Sequence, residues 1–333
     1  MENKILYITQ PWKLSRKDNT LLFENEKVKK VIPIVGIEQI YALAEITVNT
    51  KLLQFLSENK ITLHFFNYYW FYSGSYIPKE SYVSGNLLIK QVEYYNNYTK
   101  RIKIAKVIVK WIWENICFLL LHYQKHWKDV ADFIKKIKEK IKQLNRVEDI
   151  KQVLFLEWSI WDIFYSSFWK FLPKDFIIKQ RVKRPPNNAM NALISFANSV
   201  LYTYTLSKIY HTQLNPTISY LHEPFERRFS LALDISEVFK IPLTFWIIFN
   251  LVNRGMLKLH KHFEEKLNFA YLNMEGRKIF LKAWNKKIQQ TFMHPKLKRK
   301  VSYGSYIKLD LYKLIKHLLE EEEFIPFNLE RKM

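Results

Sequence analysis

Residues 87–124 read LLIKQVEYYNNYTKRIKIAKVIVKWIWENICFLLLHYQ, and their apolar residues recur every three or four positions over many turns. This spacing is typical of helices that bury one face, so the stretch predicts helical structure. The chain changes character here, because the residues before it follow a different period and those after it continue in helical periods. The sequence therefore predicts a domain boundary just before residue 87.

The part of the chain before this boundary is predicted to be rich in strands. Four short segments combine β-branched and aromatic residues and are separated by turn-forming Asn, Asp, Pro and Gly. These segments are KILYI, TLLFE, KVKKVIPI and ITLHFF, and one short helix is predicted among them at 50–60. We therefore expect two domains: a small β-sandwich-like domain over residues 1–86 and a larger all-α domain over residues 87–333.

The bulk composition favours a globular protein with an anionic partner. Hydrophobic residues make up 48% of the 333 residues, and 53 Lys and Arg against 31 Asp and Glu give a net charge of +22. Such an excess favours nucleic acid or an anionic membrane surface. An AT-rich genome or growth at high temperature also enriches lysine, so charge alone leaves the partner open.

Several protein classes are disfavoured by the sequence. Cys117 is the only cysteine, which excludes an intramolecular disulfide and a cysteine-based zinc site and fits a reducing cytoplasm. The N-terminal residues lack the pattern of a signal peptide. The apolar runs at 107–121 and 243–252 are interrupted or short, so no membrane insertion is expected. The six glycines are too dispersed for a P-loop or a dinucleotide-binding turn.

One segment gathers groups that could perform chemistry. Residues 218–239, ISYLHEPFERRFSLALDISEVF, contain His222, Asp234 and Glu237. Asp234 and Glu237 are three residues apart in a helical pattern and so share a face. Imidazole and carboxylates together suit a divalent cation such as Mn²⁺ or Mg²⁺. A histidine before a helix is more often a hydrogen-bonded structural residue, so both interpretations stay open.

A further acidic residue lies in a very apolar helix predicted at 153–169, VLFLEWSIWDIFYSSFW. Its aromatic stripe consists of Glu157, Trp161, Phe164 and Phe168. A carboxylate in such surroundings is costly to bury unless a partner compensates its charge. The partner of Glu157 could be an arginine, or a metal ion shared with His222 and Glu237. Asp162 lies off the stripe and is interpreted as structural.

Basic segments elsewhere could neutralise phosphates next to such a site. They lie at 181–184, 226–228, 253–255 and 296–300. The candidates for positioning a DNA backbone, chosen on charge and proximity in sequence, are Arg181, Lys183, Arg184 and Arg254. A metal ion beside a phosphate path indicates phosphodiester chemistry.

Longer motifs resemble a known family. The segments are RPPNNAMNALISFANSVLY, LHEPFERRFSLALDISEVF, NLVNRG and KVSYGSYIKLDLYKLIKHL, joined by KLSRKDNTLLFENE, ITLHFFNYYWFYSG and YLNMEGRKIFLKAW. Taken in their order along the chain, they resemble the CRISPR-associated endonuclease and integrase of the spacer-acquisition module. The resemblance covers nearly the whole chain.

The resemblance implies specific roles for the residues singled out above. It implies a β-rich N-terminal domain followed by a larger helical domain. It makes Glu157, His222 and Glu237 the ligands of Mn²⁺ or Mg²⁺, and gives Asp234 a supporting role, orienting His222 or a metal-bound water. The third ligand is Asp in many members and Glu here.

The resemblance also implies an activity and partners. The family acts in the cytoplasm on double-stranded DNA, as a homodimer whose β domains contribute to the dimer contact. Two dimers join a dimer of a small partner subunit in a hetero-hexamer. This complex inserts a captured fragment into the CRISPR array by attack of its 3′-hydroxyl ends, and isolated members are metal-dependent nucleases.

One departure and two alternative functions stay open. Many relatives carry Asp-Arg where this chain has Phe245-Trp246, so a polar contact is missing or has shifted to Arg254. A non-catalytic nucleic-acid-binding module would bind DNA without metal. A structural partner protein would keep its DNA affinity after charge reversal at Arg181, Lys183 and Arg184.

Overall fold

The computed structural model describes residues 4–26, 28–79, 82–183, 185–226, 228–266, 269–294 and 296–329, without the side chains of 265 and 266. The chain divides into two compact units, residues 1–83 and 84–333. The first is rich in strands and the second is mostly helical. The predicted fold class is therefore confirmed in its order and in the character of its two parts.

The first unit contains two four-stranded sheets. Its elements are β1 (Lys4–Ile8), β2 (Trp12–Lys17), β3 (Thr20–Glu24), β4 (Lys29–Pro33), β5 (Ile37–Ala42), β6 (Ile46–Val48), α1 (Thr50–Glu58), β7 (Thr62–Phe66) and β8 (Tyr72–Tyr76). The strand orders are β1-β5-β7-β8 and β4-β3-β2-β6. The first sheet is parallel from β1 to β7. The four predicted strands and the predicted helix are confirmed, with ends that differ by up to two residues.

A single apolar core joins both sheets and α1. Leu14 and Leu21 come from the second sheet, Ile40 and Leu63 from the first, and Leu52 from the helix. Burial on this scale stabilises the unit by roughly 25 cal/mol for each Å² of apolar surface removed from water. Four strands were not predicted: β2, β5, β6 and β8. Polar residues in β5 and Gly and Ser in β8 hide the strand pattern, which the pairing with β7 imposes.

The second unit is built from ten helices in the described residues. They are α2 (Gly85–Asn96), α3 (Tyr98–Lys125), α4 (Ala131–Leu144), α5 (Ile150–Ser166), α6 (Ala189–Tyr210), α7 (Ser230–Phe239), α8 (Trp246–Asn253), α9 (Leu259–His262), α10 (Met274–Gln289) and α11 (Tyr303–Leu318). The helical stretch 87–124 is divided at Asn97. This residue has extended backbone, and its side chain accepts a hydrogen bond from the Lys100 N–H at 3.0 Å, which starts a new helix.

The prediction of an all-α second domain needs one correction. Two short antiparallel pairs occur in it: β9 (Phe263–Lys266) with β10 (Phe269–Leu272), and β11 (Thr291–Met293) with β12 (Lys300–Ser302). The Ala270 N–H donates to the carbonyl of Pro186 at 2.8 Å. The first pair therefore fixes the chain just before α6. The local sequence favours strands only weakly, so these strands form because they pair with each other.

A π-helical segment at Lys240–Phe245 joins α7 to α8. Pro242 cannot donate a helical hydrogen bond, and the wider π turn carries the helix past it. The resulting stretch Ser230–Asn253 is longer than the apolar run expected from the sequence. Among the described residues it is the one helix with the length and hydropathy of a membrane span, and 83% of its 18-residue apolar stretch is buried inside the protein. This is the pattern of a core helix.

Candidate active site

Helix α5, the loop before α7 and helix α7 bring three predicted residues into electrostatic contact. Glu157 projects from α5, His222 lies in the loop, and Glu237 lies on α7. The charges of Glu237 and His222 both act on the carboxyl group of Glu157. Residues separated by up to 80 positions in sequence therefore share one local environment.

Asp234 fixes the loop that carries His222. Its carboxylate is fully buried and accepts from the N–H groups of Tyr220, Leu221 and His222 at 2.7, 2.9 and 3.0 Å. The same carboxylate lies 2.8 Å from Nδ1 of His222. Buried carboxylates require such donors, and here both oxygens are saturated. Asp234 therefore fixes both the backbone and the ring of His222.

This arrangement defines the chemistry of the His222 ring. With Nδ1 facing Asp234, Nε2 remains as the atom that can meet a ligand. Burial lowers the pKa of His222, but the hydrogen bond to Asp234 and the charges of Asp234, Glu237 and Glu157 outweigh it, so its pKa is raised above the ordinary value. A cation placed between these carboxylates would act in the opposite direction.

Glu237 is less completely satisfied than Asp234. One of its oxygens accepts a hydrogen bond from the ammonium group of Lys240, one helical turn further along. Its Oε2 is buried and has no hydrogen-bond partner among the residues that the structure describes. Lys240 also lies over the ring of Trp161, with Nζ 5.1 Å from the centroid. A buried carboxylate oxygen without a hydrogen bond lowers the stability of the folded protein. Such an atom is therefore a candidate for binding a ligand.

Glu157 is half-buried, and its surroundings favour the protonated form. Burial raises its pKa to about 7, with the charge of Glu237 as the next cause. Lys240, His222 and Lys183 act in the opposite direction. Two carboxylates that repel each other beside an imidazole form a site whose charge a divalent cation would balance.

The residues present fit such a cation. Among the residues that the structure describes, no group of three or more His, Cys, Asp or Glu side chains is arranged to hold a metal ion as it stands. Glu237 nevertheless offers an unsatisfied oxygen, His222 offers Nε2, and Lys240 already places positive charge against Glu237. Oxygen and imidazole donors are those that Mn²⁺ accepts, and carboxylates suit Mg²⁺.

The four basic residues proposed for DNA occupy different environments. Lys183 lies beside the site: its pKa is lowered first by desolvation and next by the charge of Lys240. The guanidinium of Arg181 donates to Asn191 at 3.0 Å and to Ser195 at 2.9 Å, which ties the loop to α6. Arg184 lies outside the described residues. Arg254 is exposed at the end of α8, where it lines a separate cavity.

The Phe245-Trp246 pair has two different surroundings. Phe245 is buried, with ring centroids 5.5 Å from Trp161 and 5.1 Å from Phe164. Trp246 lines the same cavity as Arg254. The pair therefore extends the aromatic core behind the site, and the positive charge of Arg254 faces the cavity that Trp246 also lines.

Two residues that shape the candidate active site, Lys240 and Arg101, were not predicted from the sequence. Lys240 carried a signal, because a residue three positions after Glu237 lies on the same helical face. Arg101 carried none: it donates to the Tyr220 carbonyl at 3.1 Å and to Glu223 at 2.7 Å, across more than 110 residues of sequence. These bonds hold both sides of His222 in place.

Relatives of the chain identify its family. The model of the family described as CRISPR associated protein Cas1 matches residues 6–286. A protein from Thermodesulfovibrio yellowstonii named CRISPR-associated endonuclease Cas1 3 is 45% identical over 322 residues, covering 96% of this chain and 98% of that protein. One from Moorella thermoacetica, CRISPR-associated endonuclease Cas1 2, is 45% identical over 96% of this chain and 97% of its own length.

Solved structures show the same fold. A Cas1 protein from Thermotoga maritima is 36% identical, with a TM-score of 0.85 over 96% of this chain and 98% of that one. A casposase bound to integration product has a TM-score of 0.81 at 16% identity over 98% of this chain and 93% of that one, which shows the fold alone. Together with the matched sequence, these likenesses confirm the resemblance: the chain belongs to the CRISPR associated protein Cas1 family.

Proposed function

We propose that this chain is a metal-dependent DNA endonuclease and strand-transfer integrase that inserts captured DNA fragments as new spacers into a CRISPR array. The observation that carries the proposal is the cluster of Glu157, His222 and Glu237 beside Lys183 and Lys240. The endonuclease name of relatives 45% identical over nearly the whole chain supports the activity.

The protein's own groups have separable tasks in this proposal. Glu157, His222 and Glu237 would hold Mn²⁺ or Mg²⁺, and Asp234 engages Nδ1 of His222, so that Nε2 is the ring nitrogen that would bind the ion. When bound, the cation would polarise the phosphorus centre and stabilise the leaving oxygen. Lys183 and Lys240 place positive charge where a phosphodiester must approach two carboxylates. Without that charge, the acidic site would repel DNA.

The proposal includes partners. The substrate is double-stranded DNA, both the fragment and the array, as the net charge of +22 favours. We expect a homodimer to which the β unit contributes, joined with a small partner subunit in a hetero-hexamer, in the cytoplasm. A structure titled Cas6-RT-Cas1--Cas2 complex contains a region of this fold at 17% identity, with a TM-score of 0.84.

A strand-transfer assay tests the proposal. It combines a short duplex with free 3′-hydroxyls, a supercoiled plasmid carrying a CRISPR repeat, the partner subunit, and Mn²⁺ or EDTA. We expect joining in Mn²⁺ that disappears in EDTA and in Glu157→Ala. Tight DNA binding without joining or cutting in any divalent metal would contradict the proposal and favour the non-catalytic binding module.

A further inference from the structure

Residues 324–329, with the sequence FIPFNL, follow α11 without helix or strand structure and are nevertheless largely buried. The backbone N–H and C=O groups of such a segment have no regular partners, so they must be satisfied in another way. Side chains of α3 and α11 bind five of these groups. They are the N–H groups of Phe324, Phe327 and Leu329, which donate to His317, Asp310 and Asn115, and the carbonyls of Ile325 and Phe327, which accept from Lys313 and Asn115.

Helix α11 binds one side of this 324–329 segment through an ion pair. Asp310 is buried, and its Oδ2 accepts from the Phe327 N–H at 2.7 Å. The ammonium group of Lys313 lies 2.7 Å from the other carboxylate oxygen and donates to the Ile325 carbonyl at 3.1 Å. Hydrogen bonds that involve a charged group are stronger than those between neutral groups. The ion pair therefore fixes the position of the segment along α11.

Asn115 of α3 joins the same segment to α7. Its side chain is fully buried, and its Nδ2 donates to the carbonyls of Val238 and Phe327 at 3.2 and 3.3 Å. Its Oδ1 accepts from the Leu329 N–H at 2.9 Å. The amide thus uses both of its ends, as a buried polar group must. Its partners are 123 to 214 residues away in sequence, so Asn115 links three distant parts of the chain.

The Val238 carbonyl lies where the α-helical hydrogen bonding of α7 is interrupted. In an α-helix a carbonyl accepts from the N–H group four residues later. For Val238 that residue is Pro242, which has no N–H. The helix widens at this point into the π segment at Lys240–Phe245. Asn115 therefore supplies a side-chain donor where the α-helical donor is missing, and so fixes the end of α7.

The bond from Asn115 is made next to a candidate metal ligand. Val238 directly follows Glu237, and the next ring, that of Phe239, stacks on Phe327 with centroids 5.3 Å apart and planes at 29°. Lys240, the ion-pair partner of Glu237, comes directly after. Both contacts therefore hold the two residues of backbone between the members of this ion pair. A shift of that backbone would move the Glu237 carboxylate.

We propose that Asn115 is a positioning residue for the candidate active site. It ties the end of α7 to the 324–329 segment and so sets the place of the Glu237 carboxylate, without contacting the ion. The inference deepens the proposed function and rests on it, because there Glu237 is a ligand of Mn²⁺ or Mg²⁺. Residues that orient a metal ligand typically change metal affinity about 10–100-fold when they are replaced. Since binding couplings are reciprocal, the ion should in turn stabilise the 324–329 segment.

The first experiment measures Mn²⁺ affinity by calorimetric titration of the full-length, metal-stripped protein without DNA. Asn115→Leu keeps a similar volume and removes all three hydrogen bonds, and we expect the affinity to fall about tenfold in protein shown to be folded by circular dichroism. The matched control is Gln91→Met. Gln91 is an equally buried amide that binds the backbone of Asn215 at 2.8 and 3.2 Å. Gln91→Met should lower stability and leave the Mn²⁺ affinity unchanged.

The second experiment uses the wild-type protein and is decisive if Asn115→Leu fails to fold. Amide hydrogen exchange of the 324–329 segment is followed by mass spectrometry with and without Mn²⁺, with peptides from β2 and β3 as the reference. Saturating Mn²⁺ should slow exchange of the segment by the same factor of about ten. Glu157→Gln, which lacks one proposed ligand, should show no such slowing. Slower exchange in α7 with unchanged exchange in the 324–329 segment would overturn the inference.

The affinities separate the inference from the proposed function. A wild-type protein that binds no Mn²⁺ would contradict the proposed metal-dependent function, and the inference with it. A wild type that binds Mn²⁺ with an affinity that Asn115→Leu leaves unchanged would reject the inference alone. An equal loss of affinity in Asn115→Leu and Gln91→Met would also reject it, because any buried amide would then have the same effect.

Discussion

Two carboxylates three residues apart on α7 have opposite surroundings. Asp234 is saturated, because three backbone N–H groups and the His222 ring all face its oxygens. Glu237 has one oxygen paired with Lys240 and one that is buried with no partner in the described part of the chain. One helical face thus carries two acids. The carboxylate oxygens of Asp234 already accept their full number of hydrogen bonds, whereas one oxygen of Glu237 can still accept a bond or bind a cation.

This difference distinguishes a residue that positions its neighbours from residues that can bind a ligand. A saturated carboxylate can position its neighbours but has no lone pair left for a ligand. A carboxylate with an unsatisfied oxygen is held at a cost, which a cation would remove. This contrast supports the proposal in which Asp234 positions His222 and Glu237 and Glu157 bind the ligand.

The largest expected effect is on folding stability at Asp234. Asp234→Ala leaves three buried N–H groups without acceptors, and we expect the free energy of unfolding to fall by about 3–5 kcal/mol. Urea denaturation monitored by circular dichroism measures it. Glu237→Gln is the matched control and should lose clearly less, because the amide keeps the side-chain volume, can still accept from Lys240 and removes a buried charge from a largely buried ion pair. Equal losses would remove the distinction between the two acids.

The second effect is a pH dependence of the metal-free protein. The pKa of Glu157 is raised to about 7, so its contribution to stability is present below its unfolded-state pKa and is lost as pH rises through 7. Between pH 5 and 8 we expect wild type to lose about 1–2 kcal/mol relative to Glu157→Gln. Urea titrations at several pH values with EDTA measure this difference. Parallel stability curves for the two proteins would show that Glu157 ionises normally.

A smaller effect concerns Lys240, which already provides a positive charge to Glu237. Lys240→Met removes this competitor and should raise the affinity for Mn²⁺ about threefold in the absence of DNA. Calorimetric titration of both proteins measures the change. Lys313→Met serves as a control, since Lys313 makes the equivalent i,i+3 pair with Asp310 on α11. Weaker Mn²⁺ binding in Lys240→Met would instead make Lys240 a support of the metal site.

The smallest effect separates Lys183 from Arg181. Lys183→Ala should weaken duplex binding a few-fold and reduce the salt slope by ~0.9, because it removes one phosphate contact. Arg181→Ala should lower stability without changing that slope, because its guanidinium is engaged by Asn191 and Ser195. Anisotropy titrations at several salt concentrations measure both slopes. A slope change in Arg181→Ala alone would reverse these roles.

The sequence predicted the parts of the site that local pattern encodes. The three-residue spacing of Asp234 and Glu237 placed them on one face, and Glu157 was identified by its cost in an apolar helix. It could not predict which of the two acids would be saturated, because the donors come from a loop fourteen residues earlier. Nor could it predict that Arg101 donates a hydrogen bond to the Tyr220 carbonyl in that loop, because only the tertiary fold brings the two residues together.

The fold shows the same limit. Strands with alternating apolar residues, such as β1 and β3, were recognised within the sequence. Strand β8, with the sequence YSGSY, contains turn-forming residues and becomes a strand only because β7 offers its edge. The π segment at Lys240–Phe245 likewise depends on packing that lets the helix continue past Pro242.

The most direct test of the central claim is a count of bound Mn²⁺ by electron paramagnetic resonance on the full-length, metal-stripped protein. The site geometry predicts one ion per wild-type chain and a loss of that ion in Glu157→Gln, with a folded protein confirmed by circular dichroism. An unchanged ion count and affinity in Glu157→Gln would contradict the account, since the two carboxylates and His222 would then not form the metal site.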